Sequence, residues 1–379
     1  MRKTTFVKPL SCCIDLICLV AFGLVCLPAF AQASGSAAAP AKDAPTATMP
    51  TDPKALMLLA ARTNGLTGPD VQPWHLKFTF DVPGSDFAAS DHGTIEEWWS
   101  SDTRYKIAIA STHFEQTEYG TDSGIRRSGV RSSAPSLIAS IKDDVLLPIP
   151  LSSKQLDNLK IELHAQKMGD ATFSCLAVGG SAPTADADAI KPSTYCLDAT
   201  QPVLRIRYSP GSGNTQIYSH IVRFQGRFVA RQIEHDFFDF QGKNSVTLWK
   251  MQIDLLETLK PADEKDLDPP AGTLPAAKTV TVSEKDARAL LLDHPKPVYP
   301  PIAKAAHVSG SVVLRATVGT DGRVRSLSVI SGPAMLQQAS LNAVKQWTFK
   351  QYMVDGDPAE METTITVPFS FLPGFDSVL

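Results

Sequence analysis

SVVLRATVGTDGRVRSLSVISG, residues 311–332, decides how the C-terminal part of this chain folds. Val312, Leu314, Ala316 and Val318 alternate with Ser311, Arg315 and Thr317, with Val313 the one exception. That is the period of a strand with one buried face. Gly319-Thr320-Asp321-Gly322 follows. Asp-Gly between two alternating runs signals a tight hairpin, because the turn needs residues that tolerate positive φ. The return strand spans Arg323 to Ile330, and Ser331-Gly332-Pro333 stops it.

Working outward, Pro297-Val298-Tyr299-Pro300-Pro301 precedes a short predicted helix, Ile302 to Ala306, which Gly310 ends. Downstream, Leu336, Ala339, Ala343 and Trp347 fall at the spacing of one buried helical face. Asp355-Gly356 makes a second turn. The last strand is expected over Glu362 to Phe371, with Ile365, Val367, Phe369 and Phe371 on one side. The order is therefore helix, strand, hairpin, strand, helix, strand.

This order resembles the TonB C-terminal domain, over about Leu290 to Leu372. The matching residues are the Tyr299-Pro300 entry, Ala303, Gly310, the Asp321-Gly322 turn, Ala343-Val344-x-x-Trp347-x-Phe349, the Asp355-Gly356 turn and Val367-Pro368-x-x-Phe371. The resemblance implies a small α+β domain that grips a short peptide, the TonB box of an outer-membrane transporter. The grip is strand addition to the last strand, at Thr363, Thr364, Ile365, Thr366 and Val367, where main-chain hydrogen bonds supply affinity. It also implies energising by an inner-membrane proton-motive complex, and a route to a homodimer through the same edge. Pro368 has no N–H to give a ladder, which places this strand at a sheet edge. The same proline also serves as a guard against aggregation on an exposed edge.

Upstream, the chain reads as a second, larger domain over 53–260. A helix is expected from Lys54 to Arg62, and another segment looks helical from about Arg127 to Lys142. Strands dominate the rest. Trp74, Leu76, Phe78, Phe80 and Val82 alternate with polar residues; so do Tyr105, Ile107 and Ile109, then Leu204, Ile206 and Tyr208, then Trp249, Met251, Ile253 and Leu255. Phe224-Gln225-Gly226-Arg227-Phe228 is a hairpin turn. The expected result is a curved antiparallel half-barrel with helices on its inner side. With Gly93-x-x-Glu96-Glu97-Trp98-Trp99, it resembles LolA-like domains, which implies an apolar concave face that accepts lipid. Aromatics at alternate strand positions serve equally as ordinary core. The fold class is thus α+β, a LolA-like half-barrel followed by a TonB-type C-terminal domain over 279–379.

Between the two, residues 261–278 contain Pro261, Pro269, Pro270 and Pro275 and read as a Pro-rich linker. In polyproline-like extension it would reach about 55 Å. Residues 32–52 are Ala, Ser, Thr and Pro, a disordered spacer with nothing to bury. Residues 1–31 read as a signal peptide: Arg2, Lys3 and Lys8, then the apolar run Leu16 to Pro28, then Ala29-Phe30-Ala31. The rival is an uncleaved membrane anchor, but a spanning helix needs about 20 apolar residues and Asp15 interrupts the run. A force-transducing member of the family would need that anchor, with a histidine in it; Met1 to Ala31 contain none.

Four of the six cysteines (Cys12, Cys13, Cys18, Cys26) sit in the leader. Cys175 and Cys196 remain as an even pair in a chain bound for an oxidising compartment, where a disulfide across the loop between them is expected. Net charge is only −3 with acids and bases interspersed, which argues against a nucleic-acid binder. No cofactor or metal is implied. His113 with Glu115, and His235 with Asp236, lack a third ligand. Glu96 and Glu97 are adjacent on a strand and point to opposite faces, so they cannot share a substrate. No nucleophile or phosphate-binding motif is present, and the chain reads as a non-enzyme. Two functions follow: a TonB-like envelope protein that binds a partner strand, or a periplasmic carrier of lipid with a TonB-like docking domain.

Overall fold

A computed structural model describes residues 49–370, apart from 85–89, 152, 157–158, 180–191, 210–212 and 239–244. The leader, most of the spacer and Phe371 lie outside the described residues. Among the described residues the protein is mostly sheet, with a few helices.

The larger sheet is built from β1 (Trp74–Val82), β2 (Asp91–Ser101), β3 (Arg104–Ser111), β4 (Glu115–Thr121), β5 (Gly124–Gly129), β6 (Ile161–Met168), β7 (Ala171–Val178), β8 (Ser193–Asp198), β9 (Leu204–Ser209), β10 (Asn214–Phe224), β11 (Arg227–Phe238), β12 (Ser245–Thr258) and β13 (Leu274–Pro275). Their order is β13-β5-β4-β3-β2-β1-β12-β11-β10-β9-β8-β7-β6, an open path whose two end strands do not pair. Neighbours in chain order mostly sit side by side because short turns join them. Gln225 and Gly226, at φ 49° and 78°, make the two-residue β10–β11 turn that matches strand twist.

One face of this sheet carries Leu76, Phe78, Phe80, Ile95, Ile107, Ile109, Trp249, Met251 and Ile253, all buried. Two helices pack onto that core. In α1 (Pro53–Thr63), Asp52 caps the start by accepting from the Ala55 N–H at 2.8 Å, and Leu56, Met57 and Ala60 face inward. In α2 (Ser136–Leu146), Ile138, Ile141 and Val145 do so. Each of these side chains larger than alanine contributes roughly 1.5–3 kcal/mol by leaving water. The expected helix from Arg127 is corrected: Arg127 lies in β5, and the helix begins only after Pro135, whose ring suits a position just before a first turn. A short α3 (Ser153–Leu156) follows.

The smaller sheet uses β14 (Thr279–Thr281), β16 (Gly310–Val318), β17 (Val324–Ser331), β19 (Tyr352–Val354) and β20 (Asp357–Phe369). Its order is β14-β20-β16-β17, with β19 paired to the start of β20. A two-stranded ladder joins β15 (Leu291–Asp293) to β18 (Thr348–Phe349). Three helices, α4 (Glu284–Arg288), α5 (Pro301–Ala305) and α6 (Ala334–Val344), complete it. Val312, Leu314, Ala316, Leu336, Val344, Trp347, Ile365 and Val367 form a core separate from the first. Trp347 lies just past the end of α6 rather than on it, and its indole N–H donates to the Pro295 carbonyl at 3.1 Å. Gly322, at φ 77°, has no substitute: a Cβ there would fall 1.9 Å from the Phe349 carbonyl oxygen.

Residues 261–278 are not an extended spacer. They form a short 3-10 turn (Glu264–Leu267) and then β13, which pairs antiparallel with β5. Arg104 reaches Asp268 at 3.0 Å, and Arg131 donates to the Pro275 carbonyl at 3.1 Å. The prolines interrupt regular structure as expected, but side-chain donors from the large sheet hold the chain down, so the 55 Å reach does not apply.

Cys175 and Cys196 are directly opposite each other on β7 and β8 and are bonded. The bridge closes a loop with a sequence separation of 21. Replacing both with serine should lower unfolding free energy by about 3 kcal/mol, since loop closure restricts the unfolded chain. Urea titration of the two proteins under non-reducing conditions checks this, and coincident midpoints would show that the bridge contributes nothing.

Candidate functional site

The hairpin at Asp355 and Gly356 (φ 53° and 87°) sets the register of β20, the longest strand of the small sheet. β20 pairs antiparallel with β16 from Val318↔Met361 to Gly310↔Phe369. Backbone groups alternate sides along a strand. The Glu360 N–H donates away from β16, to the Lys278 carbonyl at 2.8 Å, and the Glu362 carbonyl accepts from Val282 at 2.8 Å. The even residues therefore point their backbone at the outer edge, and the odd ones bond β16. Pro368 is even, so its missing N–H costs the β16 ladder nothing.

The expected partner-binding residues divide accordingly. Thr363, Ile365 and Val367 bond β16 and bury their side chains. Thr364 and Thr366 present backbone to the outer edge. That edge is not open along its length, as a free last strand would be. β14 pairs with it in parallel at Thr279↔Glu360, Val280↔Met361 and Thr281↔Glu362. Beyond β14, Ser283 caps α4 by accepting from the Asp286 N–H at 3.2 Å. This places Glu284 and Arg288 one turn apart on the face toward β20. Glu284 accepts from the Thr366 N–H at 2.7 Å and from its hydroxyl at 3.0 Å. Arg288 donates to the Thr366 carbonyl at 2.8 Å and pairs with Glu284 at 2.9 Å. Burial works to raise the Glu284 carboxyl, but the Thr366 donors and Arg288 outweigh it and hold it below the usual carboxylate range.

The motif residues serve to shape this module. Tyr299 donates its hydroxyl to the Val308 carbonyl and stands edge-on to Phe369 at 5.3 Å. Pro300 caps α5, Gly310 opens β16 at φ 136°, and Asp321 accepts from Arg325 at 2.6 Å across the turn. The opposite edge of the sheet, β17, lies against α2 of the larger unit.

A polar clasp joins the two sheets, and sequence reasoning did not find it. Glu360, 2% exposed, accepts from the Ser133 N–H at 2.8 Å, the Ser133 hydroxyl at 3.1 Å and the Thr279 hydroxyl at 3.1 Å. Ser132 accepts from the Thr320 N–H at 2.6 Å. The Ser283-x-x-Asp286 spacing signals α4 in the sequence. Nothing local signals that Glu284 crosses to Thr366.

A cavity of about 380 Å³ opens on the outer face of β1, β10, β11 and β12, among Thr79, Asp81, Gln232, Glu234, Lys250 and Gln252. The inner face is filled by α1, α2 and its own side chains. A space of about 10 Å³ lies there beside Asp144 and Tyr218, room for about one water. Arg207 satisfies Asp144 at 2.5 Å and donates to the Pro148 carbonyl. Burial holds His235 down to about 4, so it stays neutral. Among the described residues no three His, Cys, Asp or Glu side chains gather as metal ligands. Glu96 and Glu97 do face opposite ways: Glu96 bonds His75 at 2.9 Å outside, while Glu97 is buried inside, 4.0 Å from Lys142.

Residues 295–371 match the family described as Gram-negative bacterial TonB protein C-terminal. The protein TonB of Vibrio cholerae is 31% identical over 86 residues, which are 22% of this chain and 35% of that protein. This chain thus spans about a third of the length of the curated relative it matches. Among solved structures, a LolA superfamily protein of Nitrosomonas europaea aligns with 59% of this chain and 98% of its own at 9% identity and a TM-score of 0.35. A putative outer membrane lipoprotein-sorting protein domain from Vibrio parahaemolyticus covers 56% and 96% at 10% identity and a TM-score of 0.33. No helix among the described residues is long and apolar enough to cross a membrane.

Glu97 generates a pH test. Burial pushes its carboxyl up to about 7; Lys142 opposes this, and Glu118 and Asp143 reinforce it. A raised folded pKa means the folded state holds the proton longer, so the penalty is absent below about pH 4.5 and complete above about 7. Glu97→Gln should therefore stabilise the protein at pH 8, by up to about 3 kcal/mol, and leave it nearly unchanged at pH 4.5. Thermal melts at both pH values check this; an equal shift at both would mean that Glu97 does not titrate in this window.

Proposed function

We propose that the C-terminal module binds an extended peptide by strand addition along β20, and that the protein is a TonB-like envelope protein whose partner is the periplasmic segment of an outer-membrane transporter. One observation carries this reading. The segment that matches the TonB family model ends in a strand whose Thr364 and Thr366 turn their backbone groups to the outer edge. Strand addition needs such groups and little side-chain specificity. A strand laid along β20 also loads its hydrogen bonds in shear, which suits a contact that is pulled.

Export to the periplasm belongs to the same reading. It is supported by the basic and apolar N-terminus and by a disulfide between buried cysteines. Force transmission would further require residues 1–31 to remain in the membrane. The alternative, a carrier of lipid or another apolar ligand, has less support here, because the inner face of the large sheet is occupied by α1 and α2. A ligand of that kind would need those helices to lift.

Two measurements test the proposal. N-terminal sequencing of the protein from cell envelopes should give Gln32 for an exported, cleaved chain and Met1 for an anchored one. Thr364→Pro removes an outward N–H and should weaken binding of a synthetic TonB-box peptide by about tenfold, read by fluorescence anisotropy. Thr364→Ala keeps the backbone donor and should bind like the native protein. Equal affinities for the proline and alanine variants would end the strand-addition reading.

A further inference from the structure

The edge that the proposed function requires is held by the chain itself, through contacts that a partner strand would make. Main-chain bonds join the Glu360 N–H to the Lys278 carbonyl and the Val282 N–H to the Glu362 carbonyl, in the parallel register of β14 on β20. Two more contacts are made by side chains that imitate a strand: Glu284 supplies the acceptor that a neighbouring carbonyl would give the Thr366 N–H, and Arg288 the donor that an amide would give its carbonyl. Such an imitation leaves no buried backbone group of Thr366 without a partner. It also ends at Thr366, one outward position before Pro368, the residue that has no N–H to offer.

The strap is short, and much of it is exposed. Thr279 and Thr281 on β14 are open to solvent, and α4 has only five residues. A helix of that length has little stability of its own and relies on its contacts. Beside those bonds, the strap is tied where the Thr279 hydroxyl donates to Glu360, the carboxylate that Ser133 already holds from the other side, and by the buried side chains of Val282 and Ala287.

We propose that the outer edge of β20 is a parallel-strand docking site whose resident occupant is the chain's own strap, Lys278 to Arg288, and that an incoming strand binds by displacing it. This rests on the strand-binding reading above and specifies the partner. The guest runs parallel to β20, carries a hydroxyl donor opposite Glu360 and presents an acceptor to the Thr366 N–H. Free and occupied states then differ by exchange of one strand for another. Affinity is set by how far the guest outcompetes a covalently tethered rival.

The test uses the strap as its own probe, so that it does not depend on any transporter. A fluorescein-labelled peptide of residues 278–288 is titrated into the full exported chain, either native or carrying Val280→Pro with Glu284→Ala to free the edge. The freed chain should bind the peptide about tenfold more tightly than the native chain. Peptides carrying Thr279→Val or Glu284→Ala should lose most of that gain. Equal binding to both chains, or binding to neither, would overturn the proposal. In case the double variant does not fold, hydrogen exchange in the single variant Glu284→Ala gives an independent readout. The Thr366 amide should exchange about tenfold faster than in the native chain, while Ile365, bonded to β16, stays protected. Unchanged exchange at Thr366 would also overturn it. If the strap peptide binds the freed edge but a TonB-box peptide does not, the docking edge stands and the transporter reading falls.

Discussion

A carboxylate taken out of water needs donors, and Glu360 finds its donors on two segments distant in sequence from its own strand. Ser133 comes from the loop after β5, Thr279 from the strap, and Glu360 itself sits in the first half of β20. The carboxylate therefore ties the large sheet, the connecting segment and the small sheet together at one point. Removing it would leave the Ser133 N–H without its acceptor, a cost of roughly 1–3 kcal/mol, beyond the bonds lost. The neighbouring Ser132–Thr320 contacts are buried in the same way and add to the clasp.

The clasp explains why the two sheets do not behave as beads on a string. With β17 turned toward α2 and β20 turned toward the strap, neither edge of the small sheet is left open along its length. An uncovered edge is a template for aggregation, and the usual remedies are short edge strands, prolines and covering segments. All three appear here: a three-residue β14, Pro368, and the Glu284–Arg288 pair over Thr366. The connecting segment is thus part of the cover on this edge.

The large sheet plays a different part. Its inner face is apolar and aromatic, as the alternation of Trp74, Leu76, Phe78 and Phe80 requires, but α1 and α2 already fill it. Some of its buried polar groups are paired within the fold, while Trp74 Nε1, Tyr218 Oη, His235 Nδ1 and Asp236 Oδ1 have no hydrogen-bond partner among the described residues. Arg207 answers Asp144, and Asn64 ties the end of α1 to β9 by accepting from the Leu204 N–H at 3.0 Å. Glu97 stands apart, held close to neutrality by burial with only Lys142 to oppose it.

Much of this was legible in the sequence, because strand alternation, turn residues and helix caps are written by near neighbours. The 311–332 hairpin, the Gln225-Gly226 turn, the α1 helix, the opposed faces of Glu96 and Glu97 and the cysteine bridge all depend on spacing within one or two elements. Where a strong local signal competes with a weaker one, reading is less secure: the run from Arg127 looked helical until Pro135 and β4 pairing divided it. The occupied edge of β20, the docked linker and the Glu360 clasp were decided only by the tertiary structure. Each joins residues about 80 to 230 positions apart, and the contact energy between such residues has no periodicity along the chain for a reader to find.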